Sequence, residues 1–314
     1  MKKDKINWFV IRLILIFVFI FVSCGPRPEV EEPASYPQNS VTDIAYLVLE
    51  KNGQPYIMAS GSLANKEQGL FRTAKHFTDE FRPLGTDSCK VFFNGKVYTA
   101  ELARVPSSRD AAVIRISSPF DPEDFPEPSP IAGKQPELGD TVRIKGAHPH
   151  AYWVREANKS EGFPDNVVEI FEKYYGVIMK DPTMETQVVL DDLGGKVVKP
   201  DPESVRKNPF FSDEMKEGML EFENDKYMKV LMRRDHKFSF GGLSGGLAVN
   251  DRGEVIGVIT AQDIYRFEFD KNGLFVDPNS GHVAAVVEKQ LFDTIYITPI
   301  DSIADIEEYM RNLK

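Results

Sequence analysis

The sequence predicts an all-β domain of the barrel or sandwich kind, and three observations predict it. Short apolar segments recur between residues 44 and 260, bounded by turn residues rather than carried on a helical period. Two of the separating turns, Lys51-Asn52-Gly53 and Asn94-Gly95, are of the type that closes tight antiparallel hairpins. The chain of 314 residues, 42% hydrophobic and 27% charged, has globular composition and material for a sizeable core.

The first residues stand apart from that domain. Lys2, Lys3, Lys5 and Arg12 form a positive region, residues 13–22 are an unbroken apolar run, and Ser23-Cys24 follows. The run is shorter than the ~20 apolar residues a membrane span needs and matches the central region of an export signal. The small residue before Cys24 resembles the lipobox of bacterial lipoproteins, with Phe21 standing where that motif usually has Leu. The resemblance implies a signal peptide over 1–23, cleavage before Cys24, and lipid on its thiol and new amino group, so that Cys24 anchors the chain to a membrane. An uncleaved signal anchor beginning near Trp8 is the other reading, and both put the domain outside the cytoplasm, in the cell envelope. Residues 25–40, rich in Pro, Glu and Ser, read as a flexible tether. Cys89 then has no disulfide partner; beside Lys90-Val91-Phe92-Phe93 it reads as a small buried hydrophobe, not a reactive thiol.

From residue 41 the strands follow in order. Residues 44–49 and 56–60 flank the first hairpin turn, and residues 90–93 and 96–102 flank the second. Residues 111–116, 141–146 and 249–260 continue the pattern, the last interrupted by an Asn250-Asp251-Arg252-Gly253 turn. The Pro-rich stretch 119–136 reads as an exposed connector. The charged region from about 156 contains helix-like segments at 166–175 and 212–222 and reads as an insertion. Residues 302–313 carry Ile303, Ile306 and Met310 at helical spacing behind Ser302, an N-cap residue, so a final amphipathic helix is expected.

Three local patterns carry chemistry. Gly241-Gly242-Leu243-Ser244-Gly245-Gly246 surrounds a hydroxyl with residues that allow a tight turn and close approach, the geometry that exposes a serine and aims backbone N–H groups at a developing oxyanion. His76 follows Leu70-Phe71-Arg72-Thr73-Ala74, so an imidazole sits where a strand ends, available to move a proton. Asp110 directly precedes the apolar strand at 111–116, where a carboxylate is costly unless paired. Taken singly each has a bland reading: a Gly-rich loop, a surface histidine, a turn aspartate.

Together the patterns resemble the trypsin-like serine proteases, most closely the bacterial HtrA/Deg-type branch. Thr73-Ala74-Lys75-His76, Asp110-Ala111-Ala112-Val113-Ile114 and Gly242-Leu243-Ser244-Gly245-Gly246 match that family's three motifs in chain order. Leu138-Gly139-Asp140, leading to Gly146-Ala147-His148-Pro149, the hairpin Gly253-Glu254-Val255-Ile256-Gly257-Val258 and Ile297-Thr298-Pro299-Ile300 are also similar. The resemblance implies two six-stranded antiparallel β-barrels: barrel 1 about 41–118, a connector at 119–137, and barrel 2 about 138–314 with a partly helical insertion about 156–230 and a C-terminal helix. It implies a serine endopeptidase with His76 as general base, Asp110 as its orienter and Ser244 as nucleophile. The N–H groups of Gly242 and Ser244 would form the oxyanion hole, and a protein or peptide would be the substrate.

Departures from the family set further expectations. Leu243 replaces the aspartate that zymogen-activated digestive enzymes use, which argues against activation by cleavage. The long segment before Phe240 is expected to reshape or cover the cleft, and no appended peptide-binding domain follows the final helix. Phe238 falls near the base of the primary specificity pocket and would favour small or apolar side chains. His148 and His150 read as a loop after a strand rather than a metal pair, so no metal or cofactor is expected. The net charge of −10 leaves no Lys/Arg surplus to neutralise phosphates and argues against nucleic acid. A catalytically silent binding lipoprotein of the same fold is the alternative function.

Overall fold

The apolar run at Ile44 becomes strand β1 (Ile44–Lys51), buried on both faces. Ala45, Leu47 and Leu49 point into one core and Ile44, Tyr46 and Val48 into another, which is why the run is apolar throughout instead of alternating. β1 pairs with β2 (Gln54–Asn65) through a turn in which Asn52 and Gly53 both take positive φ, 56° and 74°. Then come β3 (Leu70–Thr73), β4 (Ser88–Phe93), β5 (Lys96–Arg104) and β6 (Ala112–Ile116). Asn94 and Gly95 repeat the same turn between β4 and β5. These strands close into a six-stranded barrel in the order β1-β2-β3-β6-β5-β4. The structure, a computed structural model, describes residues 43–104, 109–151, 161–162, 165–176, 186–208, 211–224, 226–236, 239–263, 266–276 and 283–301. The leader with Cys24, the tether, Phe238 and the expected final helix lie outside these residues, and no helix among them is long and apolar enough to cross a membrane.

The later strands are β7 (Thr141–Ala151), β8 (Glu161–Gly162), β9 (Thr186–Val198), β10 (Met228–Met232), β11 (Leu247–Val249), β12 (Val255–Gln262), β13 (Phe267–Val276), β14 (Val283–Gln290) and β15 (Thr294–Pro299). Their sheet runs β10-β15-β12-β11-β7-β9 and closes because β9 also pairs with β10; β8 pairs with the outer part of β9. Counted within each barrel, both wind in the same order, first-second-third-sixth-fifth-fourth. The fold is therefore two six-stranded antiparallel barrels, as the family resemblance implies. β13 and β14 form a separate hairpin between β12 and β15.

Three hydrophobic clusters correspond to this architecture. One fills the first barrel around Leu47, Phe71 and Phe93, and another fills the second around Ile144, Val230 and Ile297. The third is the seam between barrels, where Tyr46, Val48 and Phe92 meet Ala147, Leu190, Leu247 and Val258. Cys89 lies in the first core, and burial pushes its thiol up to about 12, so it is inert as the sequence predicts.

Three expectations need correction. The connector is not simply exposed: Phe125, 4% exposed, makes edge contacts with Phe71, Phe93 and Tyr98 and stacks on Phe120, closing one end of the first barrel. The insertion does not extend unbroken over 156–230, because β9 and the start of β10 fall in that span and are barrel strands. The added parts are helix α2 (Asp165–Tyr175) between β7 and β9, and helices α3 (Pro202–Lys207) and α4 (Asp213–Phe222) between β9 and β10. The short helix α1 (Lys75–Asp79) precedes them in the first barrel. α2 reaches back to that barrel, where Phe171 packs on Tyr46 and Phe92. Finally, β7 does not end at Gly146 but continues to Ala151, which puts His148 inside a strand.

Candidate active site

His76 and Asp110 meet at the seam. β3 delivers the chain to Ala74, which stays extended, and α1 begins at Lys75, so His76 projects from the first turn of a helix. Asp110 lies just before β6, the direct neighbour of β3 in the first barrel. Its Oδ1 accepts from the His76 backbone N–H at 2.8 Å and its Oδ2 lies 2.7 Å from the imidazole Nδ1. Burial pushes the Asp110 carboxyl up. The His76 charge and hydrogen bonds, with a smaller contribution from Lys75, outweigh burial and hold it below the usual carboxylate range.

Ser244 enters the same neighbourhood from the second barrel. Its Oγ donates to the Thr260 carbonyl at 3.5 Å, and among the described residues that is its side-chain hydrogen bond. Thr260 in turn leads to Asp110. Its hydroxyl lies 2.7 Å from that of Thr298, and Thr298 donates to the Asp110 carbonyl at 3.2 Å. Each hydroxyl has one proton, so the short contacts order themselves as Thr260 to Thr298 to Asp110. The Tyr227 hydroxyl, pushed up to about 12 by burial and then by the Asp110 charge, adds a further contact to the Asp110 backbone. The structure thus brings His76, Asp110 and Ser244 into one neighbourhood and hydrogen-bonds the first two directly. The Ser244 hydroxyl points to Thr260, not to an imidazole.

The backbone around Ser244 is a tight turn. Leu243 N–H donates to the Phe240 carbonyl at 3.0 Å, and Gly242 takes φ +98° at the third position, the pattern of a type II turn that demands glycine. Leu243, Gly245 and Gly246 all spend their N–H groups inside the fold. Among the described residues, the N–H groups of Gly242 and Ser244 donate to nothing. Gly245 is required for another reason: at φ +89° a Cβ would lie 2.1 Å from the Ser60 carbonyl oxygen and 2.4 Å from Thr73 Oγ1. Leu243 is fully buried in the second core.

Several residues that sequence reasoning missed hold this turn. Ser60 on β2 donates its N–H to the Ser244 carbonyl at 2.9 Å. The Ser60 hydroxyl accepts from Ala147 N–H at 2.8 Å and lies 3.0 Å from the Gly242 carbonyl, so one side chain ties the first barrel to β7 and to the turn. Gln262, at the end of β12, reaches across to the segment before the turn: its Oε1 accepts from Phe240 N–H at 2.5 Å and its Nε2 donates to Ser239 Oγ at 3.0 Å. The small polar residues of β2 and the Gln two residues past Thr260 were the available signals, but their partners are far away in sequence.

Two closed six-stranded antiparallel barrels with one winding order are the fold of the trypsin-like serine proteases, and this chain has that fold. No protein-family model matches it, and no curated protein sequence does. Among solved structures it is similar to the crystal structure of the serine endoprotease from Yersinia pestis. That likeness has 15% sequence identity and a TM-score of 0.46, over 90% of this chain and 69% of that one.

Proposed function

We propose that the chain is a serine endopeptidase that cleaves protein or peptide substrates through an acyl-enzyme on Ser244. The observation that carries this reading is the pairing of His76 Nδ1 with the Asp110 carboxylate at 2.7 Å. That bond leaves Nε2 as the basic nitrogen, able to take the Ser244 proton and return it to the leaving amine. The N–H groups of Gly242 and Ser244, unengaged among the described residues, supply the donors for the oxyanion. Cys24, lipidated after removal of residues 1–23, anchors the enzyme in the cell envelope with its domain outside the cytoplasm.

A fluorophosphonate probe tests the central claim. The purified chain is expected to be labelled, and Ser244→Ala to abolish labelling; labelling that survives the substitution overturns the assignment. The second reading, a silent binding protein, draws on the Ser244 hydroxyl turned to Thr260 and on Gln262 crossing to Ser239. Under that reading neither the wild type nor Gln262→Ala is labelled.

A further inference from the structure

Inside the second barrel, close beneath the turn that carries Gly242, three ligand-type side chains converge. His148 stands on β7, one strand position after Gly146 on the face that also presents Val142 and Ile144 to the core. Asp191 lies opposite Gly146 in the β7–β9 ladder, on the face of β9 that also buries Val197 and packs the partly buried Leu193 against the core. His236 follows β10. His148 and Asp191 are 0% exposed and His236 is 2% exposed. Asp191 Oδ2 lies 2.5 Å from His148 Nε2 and 2.8 Å from His236 Nε2. The interior of an apolar barrel is a costly place for a carboxylate and two imidazoles unless they serve a purpose there.

We propose that His148, Asp191 and His236 form a binding site for a divalent ion of the zinc class. Their ligand atoms lie within 4.8 Å of one another and come from separate chain segments, two of them fixed by strand ladders. Two imidazoles and a carboxylate form a borderline nitrogen–oxygen donor set, which zinc accepts readily and calcium or magnesium does not. Both rings present the same nitrogen to the same oxygen. Bonds of ~2.0 Å to a tetrahedral ion hold donors ~3.3 Å apart, so a shift of ~0.5 Å in each side chain turns the hydrogen-bonded cluster into a coordination shell. The ring protons then reside on Nδ1. The cysteine of the domain belongs to the other barrel's core, so no thiolate competes.

An ion here acts on the turn above it. A Cβ at Gly242 would lie 2.8 Å from His148 Cβ, and the His236 ring packs on Phe240 with centroids 4.4 Å apart. Fixing both rings fixes the floor on which the 240–243 turn rests. The site stands whether or not Ser244 is a nucleophile.

The test uses the purified full chain, loaded with zinc, desalted and assayed for metal by mass spectrometry, with Co²⁺ substituted in parallel for its visible absorbance. One zinc per chain, a cobalt spectrum of nitrogen–oxygen coordination, and a rise of several degrees in Tm are expected. His236→Gln, which keeps a neutral hydrogen-bonding group, and Asp191→Asn should each retain the fold by circular dichroism and lose the metal. Substoichiometric zinc with no cobalt band in the wild type overturns the proposal, and so does stoichiometric binding that survives both substitutions. Should either variant fail to fold, the wild-type metal content and cobalt spectrum still decide. Fluorophosphonate labelling, read separately, reports on Ser244 and leaves the metal result untouched.

Discussion

Replacing Asp110 by Asn removes one acceptor and adds one donor at a site where both oxygens are already committed. Oδ1 takes the His76 backbone N–H at 2.8 Å and Oδ2 faces Nδ1 at 2.7 Å. The amide therefore has two orientations. If its NH₂ faces the His76 backbone, two donors oppose each other in a part-buried site, at a cost of ~1–3 kcal/mol. If its NH₂ faces Nδ1, the backbone bond survives and the imidazole simply changes tautomer, which costs little. The second orientation wins. Nε2 then carries the proton, and His76 cannot accept one from Ser244. The expected loss in the rate of acylation is ~10⁴-fold, or about 5.5 kcal/mol of transition-state stabilisation, with the fold intact. The assay is the second-order rate of fluorophosphonate labelling at neutral pH, with circular dichroism and a urea midpoint as controls. A folded Asn variant that labels within tenfold of the wild type refutes the argument, because a base with the wrong tautomer cannot be that fast.

Three further outcomes follow from the same contacts. Gln262→Ala removes the side chain that spans to Phe240 and Ser239. The rate of fluorophosphonate labelling is expected to fall as the turn loosens, with circular dichroism unchanged; an unchanged rate excludes Gln262 from holding the turn. Gly245→Ala is expected to cost more than ~3 kcal/mol, because its Cβ meets the Ser60 carbonyl, whereas Gly253→Ala, at φ +79° with nothing within 4 Å, pays only backbone strain of ~1 kcal/mol. Equal urea midpoints for the two variants contradict that reading. The depressed Asp110 carboxyl contributes stability that is present above its unfolded pKa of ~3.9 and lost as pH falls through the folded value. The Asn variant should therefore lose less stability than the wild type below about pH 4, measured by urea midpoints across pH.

What was legible in the sequence was local. The hairpins announced themselves through Asn52-Gly53 and Asn94-Gly95, whose positive φ angles are the physical content of the signal. His76, Asp110 and Ser244 lie in short motifs whose spacing carries their meaning. β9 was hidden because Asp191-Asp192 and Gly194-Gly195 interrupt its apolar alternation. Asp191 faces the barrel interior opposite Gly146, and a Cβ at Gly195 would strike Val230 at 2.5 Å, so both features are demands of packing that only the register reveals. The β13–β14 hairpin was hidden because its Lys271-Asn272-Gly273 run reads as a turn in the middle of a strand. Ser60 and Gln262 escaped for a simpler reason: a serine and a glutamine at strand positions carry no mark of partners many residues away.

The contacts around Ser60 explain why the site needs both barrels. The first barrel alone can assemble His76 on Asp110, since β3 and β6 are adjacent in it. It cannot place a nucleophile. The second barrel alone can build the Gly242 turn, but the Ser244 carbonyl finds its donor in the Ser60 N–H, across the seam, and the Ser60 hydroxyl lies 3.0 Å from the Gly242 carbonyl. Gly245 and Gly146 lack side chains where the barrels meet: a Cβ at Gly245 would lie 2.1 Å from the Ser60 carbonyl oxygen, and one at Gly146 would lie 2.5 Å from the Leu243 side chain. The glycine motif is therefore not only a device for exposing a hydroxyl. It is the thin point of the seam, and its thinness lets the Ser60 backbone bond to the Ser244 carbonyl and hold the candidate nucleophile beside the His76–Asp110 pair.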